Sequence, residues 1–276
     1  MKKIFFIVIM FMLAGFYYWG SGINKIEVIR VGSECDYAPN NWEEHRITNS
    51  NIPIENKDGF YAEGYDIQIA KLVAEHIGAR LEVKKIEWQD LIPALQRREI
   101  DAIFSGMLDT DERKKLIAFS DTYDFQETEY AIIVNKGSKF SNAKKLNDFY
   151  GAVLSGQRGT LHDDAIEQIP GAIHTAPVDT FSEMVEKIVK HEIDGAVIDL
   201  DSGRIQEKAH SQLIVIRFPE GEGFKFNYTG TCAGVRKSDT RLLRAINDAL
   251  GGLSKRDRQR IMDRTIAREW ENSLYD

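Results

Sequence analysis

Between residues 100 and 123 the chain reads IDAIFSGMLDTDERKKLIAFSDTY, and this stretch holds the side chains best suited to gripping an anion. Ile100, Ala102, Ile103 and Phe104 predict a short buried strand that breaks at Ser105-Gly106 into a loop. Thr110 then stands where a helix N-cap is expected. Asp111 and Glu112 fall in the first turn, where carboxylates oppose the positive helix end. A strand end feeding a helix N-terminus presents backbone N–H groups outward, which suits an anion. Arg113 adds a planar fork matched to a carboxylate. The alternative is a surface arginine paired with a neighbouring acid.

The elements around this stretch must position it. Residues 25–32 (KIEVIRVG) alternate and are β-branched, which predicts a strand. The strand ends in Ser33-Glu34-Cys35-Asp36-Tyr37-Ala38-Pro39. Acids and an aromatic just after a strand stand where open α/β sheets bind ligands, although a solvated loop with an Asx turn would look similar. Residues 40–63 are polar and predict a long connection. Gly64-Tyr65-Asp66 opens a helix that runs to Gly78, with Asp66 expected as its cap. A strand over 81–86 and a short helix over 91–95, entered through Trp88, lead to the 100–123 stretch. This alternation predicts a mostly parallel sheet.

A second α/β unit follows. Its predicted parts are a strand over 129–135, a short helix over 145–149, a strand over 152–154, the loop 155–160 (SGQRGT) and helices over 161–168 and 180–191. A strand over 193–198 ends in Asp199-Leu200-Asp201. A strand over 226–236 and amphipathic helices over 240–253 and 257–271 close the chain, with Ile266 and Trp270 expected as core anchors. The chain thus leaves one lobe near Tyr130 and returns near Phe226. The expected fold is α/β, with two Rossmann-like lobes joined by a two-segment hinge that supports closure around a ligand. Lobe 1 is expected over 23–130 and 229–276, and lobe 2 over 131–228. Arg113 and Asp199, on opposed loops, suit a zwitterion: the first takes a carboxylate, the second an ammonium.

Composition narrows the partners. The 276 residues carry a net charge of −7, and no Lys/Arg cluster is interleaved with aromatics, so nucleic acid is not an expected partner. Met1-Lys2-Lys3 precedes an apolar run over 4–19, then Gly20-Ser21-Gly22. Residues 1–22 therefore predict an export signal or, if uncleaved, a membrane anchor, with the rest outside the cytoplasm. Cys35 and Cys232 could pair in such a compartment, but two thiols argue poorly for a metal. No H-E-x-x-H, G-x-S-x-G or C-x-x-C occurs, and neither cofactor nor metal is expected.

In order and spacing the chain resembles the extracellular solute-binding proteins of polar amino-acid ABC transporters, family 3, of the type II periplasmic-binding fold. The resemblance covers nearly everything after residue 22. Gly32 with Tyr37-Ala38-Pro39, Gly64-Tyr65-Asp66, Trp88, Ile100-Asp101-Ala102-Ile103, Thr110 with Arg113, Phe119-Ser120-Asp121 with Tyr123, Gly159-Thr160 and Ile193-Asp194-Gly195-Ala196 carry it. It implies that Arg113 binds a ligand α-carboxylate, Asp199 the α-ammonium, and Tyr37 and Trp88 sandwich the side chain. It also implies that Glu34 meets the distal end of the ligand. Ser105, Gly106 and Leu108 would lie on the carboxylate and ammonium loop, and Gly159, Thr160 and Leu161 on the facing one. Leu108 and Leu161 depart from the hydroxyl residues common there, though the Leu108 backbone N–H could still serve.

The implied ligand is a free polar amino acid, handed by a monomeric protein to a membrane permease. Glu34, with Asp36 near, favours a lysine-, arginine- or ornithine-like cation, because a buried carboxylate without a cation is costly. A glutamine-like amide is the other possibility, and a solvated Glu34 would read nothing. An enzyme of the cyclohexadienyl dehydratase type is an alternative on the same fold; it needs a poised acid, for which Glu34 and His162 are the candidates. His162 is expected to be a structural surface histidine. A fused sensor is not expected, since no membrane span and signalling domain follow Asp276, but a free-standing component of a signalling system is a further alternative.

Overall fold

The computed structural model describes residues 26–124, 128–226 and 230–272. Strand β1 (Val28–Ser33) is followed by β2 (Asp36–Tyr37), β3 (Asn41–Glu44), β4 (Ile52–Pro53) and β5 (Tyr61–Glu63). Then come α1 (Tyr65–Ile77), β6 (Arg80–Lys85), α2 (Leu91–Gln96), β7 (Ala102–Ile103), α3 (Asp111–Leu116) and β8 (Ala118–Thr122). The second unit comprises β9 (Tyr130–Asn135), β10 (Val153–Leu154), α4 (Leu161–Asp164), β11 (Ile173–His174), α5 (Phe181–Val189), β12 (Gly195–Asp199), α6 (Leu200–Ala209) and β13 (Leu213–Ile216). The chain ends with β14 (Cys232–Val235), α7 (Thr240–Gly251) and α8 (Lys255–Asn272).

Two five-stranded sheets carry the two lobes, in the orders β6-β1-β7-β14-β8 and β11-β10-β12-β9-β13. Both are mixed rather than mostly parallel. In lobe 1, β6, β1 and β7 run parallel, but β14 returns antiparallel between β7 and β8. In lobe 2, β9 lies antiparallel between β12 and β13. The reason lies in the order of building: the strand that enters or re-enters a lobe comes from the other lobe and not from a crossover helix.

Periodicity explains the packing. Along β9, Ala131 and Ile133 face the core that holds Phe181, Met184 and Ile188 of α5. Ile132 and Val134 face the opposite core, with Phe149, Leu154 and Ile166. In lobe 1, α1 buries Tyr65, Ile69 and Val73 with Leu242 and Ile246 of α7 against Ile29 and Val31 of β1. Leu91 and Leu95 of α2 cover the other face with Ile100 and Ile103. A Cβ at Gly32 of β1 would stand 2.5 Å from Ile100 Cδ1, so a larger residue there would displace that core side chain.

Several expectations are corrected. Residues 40–63 are not a plain connection: they supply three strands of a small antiparallel sheet, order β2-β3-β5-β4, whose strands are too short and polar to show a period. Asp66 is not a cap: its carboxylate is buried and accepts from Tyr123 Oη at 2.7 Å and Asn41 Nδ2 at 2.7 Å. Among the described residues, the strand expected over 226–236 covers Cys232–Val235, and helix 161–168 tightens into a 3₁₀ turn over Ala165–Gln168. Helix α6 follows Asp199 directly, where only a polar loop was expected. Cys35 and Cys232 are both buried and unbonded. Burial pushes each thiol up to about 12. Ile266 packs on the lobe 1 core; residues 1–22 and the side chain of Trp270 lie outside the described residues.

Arg236, at the end of β14, ties three elements of lobe 1. Its guanidinium lies 3.0 Å from Asp101 and 2.6 Å from Asp239, and it donates to Leu95 O at 3.0 Å. Its side chain is 11% exposed, so the two acids depend on it for compensation. Arg236→Met is expected to lower the unfolding free energy by about 3 kcal/mol. Urea denaturation would read this, and an unchanged midpoint would contradict it.

Candidate functional site

A cavity of about 240 Å³ opens between the two sheets, below the roughly 300–1,000 Å³ of drug-sized pockets. All ten residues singled out from the sequence border it: Glu34, Tyr37, Trp88, Ser105, Gly106, Leu108, Arg113, Thr160, Leu161 and Asp199. They come from the ends of strands. Glu34 and Tyr37 follow β1, and Ser105 to Arg113 follow β7. Thr160 and Leu161 follow β10, and Asp199 ends β12. Strand C-terminal ends are where α/β sheets gather ligand groups.

Local chemistry fixes each position. Thr110 caps α3, its hydroxyl accepting from the Arg113 N–H at 3.3 Å, which sets Arg113 in the first turn. The guanidinium donates to Leu108 O at 2.9 Å on its own loop and to Gly159 O at 3.0 Å on the facing lobe. It also lies 5.0 Å from the Trp88 ring centre, while Trp88 Nε1 donates to Gly159 O at 3.2 Å. Thr160 caps α4, accepting from Asp163 N at 3.4 Å. Asp199 caps α6, accepting from Ser202 N at 2.9 Å, and its other oxygen accepts from the Tyr37 hydroxyl of lobe 1. Tyr37 packs edge-on against Phe181 at 5.2 Å and His162 at 6.0 Å. It therefore stands at Asp199 as well as beside Phe181 and His162.

Sequence reasoning missed other groups. Gln157 borders the cavity and its amide donates to the Glu34 carboxylate across the cleft; it also donates to Asp179 O at 3.2 Å. Its place two residues before Gly159-Thr160 was the available signal. His162 is not a surface residue: it borders the cavity between Tyr37 and Tyr130, 5.6 Å from the latter. Burial lowers its pKa, which favours the neutral ring. Asp124, Glu129, Asp201, Arg204 and Arg217 also line the cavity. Arg217 pairs with Glu129, and Arg204 lies 3.7 Å from Asp201.

With those two pairs set aside, Glu34, Asp124 and Asp199 face Arg113. The cavity is therefore richer in acid than a neutral zwitterion would need. Glu34 is 3% exposed, and burial, with Asp36 adding repulsion, pushes its carboxyl up to about 8. Burial also raises Asp124 and lifts Tyr37 well above its usual range. An acid held up in this way gains from an added cation, because the cation favours its charged form.

Comparison with known proteins gives a consistent setting. Residues 29–266 match the profile of bacterial extracellular solute-binding proteins, family 3. The chain is similar to the arginine-binding extracellular protein ArtP of Bacillus subtilis, with 30% identity over 84% of this chain and 82% of that one. It is similar to the L-cystine-binding protein TcyJ of Escherichia coli, with 25% identity over 84% and 81%. Among solved structures, holo ArgBP from T. maritima superposes with a TM-score of 0.66 at 29% identity, covering 83% of this chain and 92% of that one.

The raised acids set a pH dependence. Folding shifts Glu34 to about 8 and Asp66 to about 7, both above the ordinary carboxylate range. Between that range and pH 8 the folded protein binds more protons than the unfolded chain, so its stability falls as pH rises. Thermal melts of ligand-free protein from pH 5 to 8.5 are expected to show this decline, and Glu34→Gln to make it shallower. A slope unaltered in the variant would mean that Glu34 is ionised in the folded protein.

Proposed function

The chain belongs to the bacterial extracellular solute-binding proteins of family 3, and we propose that its solute is a basic L-amino acid, delivered to the permease of an ABC transporter. Its family binds solutes rather than transforming them, so Glu34 and His162 are ligand-side groups and not catalysts. Arg113 takes the α-carboxylate, assisted by backbone N–H of the Ser105–Leu108 loop. Asp199 takes the α-ammonium. The side chain runs past Tyr37 and Trp88 to Glu34. In this reading residues 1–22 export the chain, as signal or anchor, and 23–130 with 229–276 and 131–228 are the moving lobes.

The observation that carries the basic side chain is the buried carboxylate of Glu34 in a cavity already richer in acid than a zwitterion requires. A guanidinium or ammonium there would offset the cost of its charge. The arginine-binding relatives, at 28–30% identity, lend support. One contact favours a second reading. Glu34 accepts from the Gln157 amide, so an amide-ended, glutamine-like solute would also satisfy it.

Binding and protonation separate the two. A cationic ligand at Glu34 must bind the carboxylate form, whose proton is retained to about pH 8 in the free protein. Calorimetry at pH 7 in buffers of different ionisation enthalpy is expected to show release of about one proton with arginine, lysine or ornithine. The release should vanish in Glu34→Gln. A glutamine-like ligand would bind without it. Arg113→Ala is expected to weaken binding by about a hundredfold. Retained affinity in that variant would remove the carboxylate assignment.

A further inference from the structure

Outside the cavity, the small sheet of lobe 1 touches lobe 2 at three places. Asp36 Oδ2 accepts from the backbone N–H of Ser182 at 2.9 Å, and its Oδ1 accepts from the Ser182 hydroxyl. Ser182 lies in the first turn of α5, so a lobe 1 carboxylate meets the positive end of a lobe 2 helix. Tyr37 packs on Phe181, at the start of the same helix. Ala38 and Trp42 bury themselves with Ile205 of α6, at 8%, 7% and 4% exposure. Asp36, Ala38, Trp42, Ser182 and Ile205 do not line the cavity.

The sheet is fixed to its own lobe. Asn41 accepts from Cys35 N at 2.8 Å and donates to Asp66 at 2.7 Å, while Tyr65 N donates to Pro39 O at 3.0 Å and Asp66 N to Asn40 O at 2.8 Å. At its far side Glu55 N donates to Val83 O at 2.9 Å, and Lys85 lies 3.1 Å from Glu43. A rigid piece of lobe 1 thus reaches over the rim and grips two helices of lobe 2.

We infer that this sheet is a clasp: Asp36, Trp42 and Ile205 hold the lobes shut without touching the solute, and so set how long it stays. A contact made only when the lobes meet favours the closed form, whatever ligand lies inside. The clasp is not a lock. The indole N–H of Trp42 is buried with no acceptor among the described residues, a cost that opening to water would relieve. These residues are positioning residues for closure, and selectivity stays with the cavity.

The test uses the mature chain with Asp36→Ala, Ser182→Ala and the double variant. Release of L-arginine, followed by stopped-flow tryptophan fluorescence, is expected to be at least about tenfold faster in Asp36→Ala, which loses both hydrogen bonds to Ser182. Ser182→Ala, which keeps its N–H, should lose less, and the double variant should match Asp36→Ala alone. The preference among arginine, lysine and ornithine should not change in Ser182→Ala, which keeps the Asp36 charge beside Glu34, and X-ray scattering of ligand-free Asp36→Ala should show a larger radius of gyration than the parent. Release within about twofold of the parent, additive effects or an altered preference would overturn the clasp. If no amino acid binds the parent, the basic-ligand proposal fails but scattering still decides: an enlarged radius sustains the clasp and an unchanged one removes it.

Discussion

The carboxylates of Glu34 and Asp199 are buried between the two lobes and must find donors there, and each finds one on the opposite lobe, as does the partly exposed Asp36 at the rim. Glu34 of lobe 1 accepts from Gln157 of lobe 2. Asp199 of lobe 2 accepts from Tyr37 of lobe 1. Asp36 of lobe 1 accepts from Ser182 of lobe 2. Burial without such a partner would cost several kcal/mol per group, so the acids and their donors hold the cleft together as much as the apolar contacts do. The lobes are separately built bodies whose agreement in position depends on these crossings.

The fold supplies them by a repeated device. Strand β7 in one lobe, and the parallel strands β10, β11 and β12 in the other, hand over to segments that cap helices. Thr110, Thr160, Thr180 and Asp199 are four such caps, each with its side-chain oxygen on a backbone N–H. Capping fixes the first turn, and the first turn fixes Arg113, Leu161, Ser182 and Leu200. The precision of the cleft therefore comes from helix starts rather than from the loops themselves.

Much of this was legible in the chain. The cap at Thr110, the strand before Ser105-Gly106 and the helix ending at Gly78 follow from local chemistry. Gly78 takes the left-handed conformation at φ +71°, which a helix stop favours. The ten cavity residues were legible too, though mostly through resemblance, since spacing alone does not say that Glu34 and Asp199 meet one space. What stayed hidden depends on long-range pairing. The antiparallel return of β14 between β7 and β8 leaves no local signature. The four strands within 36–63 are too short for a period of two to be seen. Gln157 looks like any loop amide until the other lobe brings Glu34 to it, and Asp66 looks like a cap until Tyr123, 57 residues on, donates to it.

The same crossings explain how binding and closure could share one set of groups. Arg113 donates to two carbonyls, and Glu34 and Asp199 accept from an amide and a phenol. These are satisfied contacts, so each of these groups has a partner within the protein. Yet each acid has a neutral partner across the cleft, and charge-assisted bonds between two ions are the stronger kind. On the proposed reading, a solute that brings its own carboxylate and cations exchanges weaker partners for stronger ones at the same atoms, and does so only when both lobes are present. Contacts at the rim, such as Asp36 on Ser182, are not exchanged in this way. They add to closure equally for every solute, which is why affinity and selectivity can be set by different residues of one cleft.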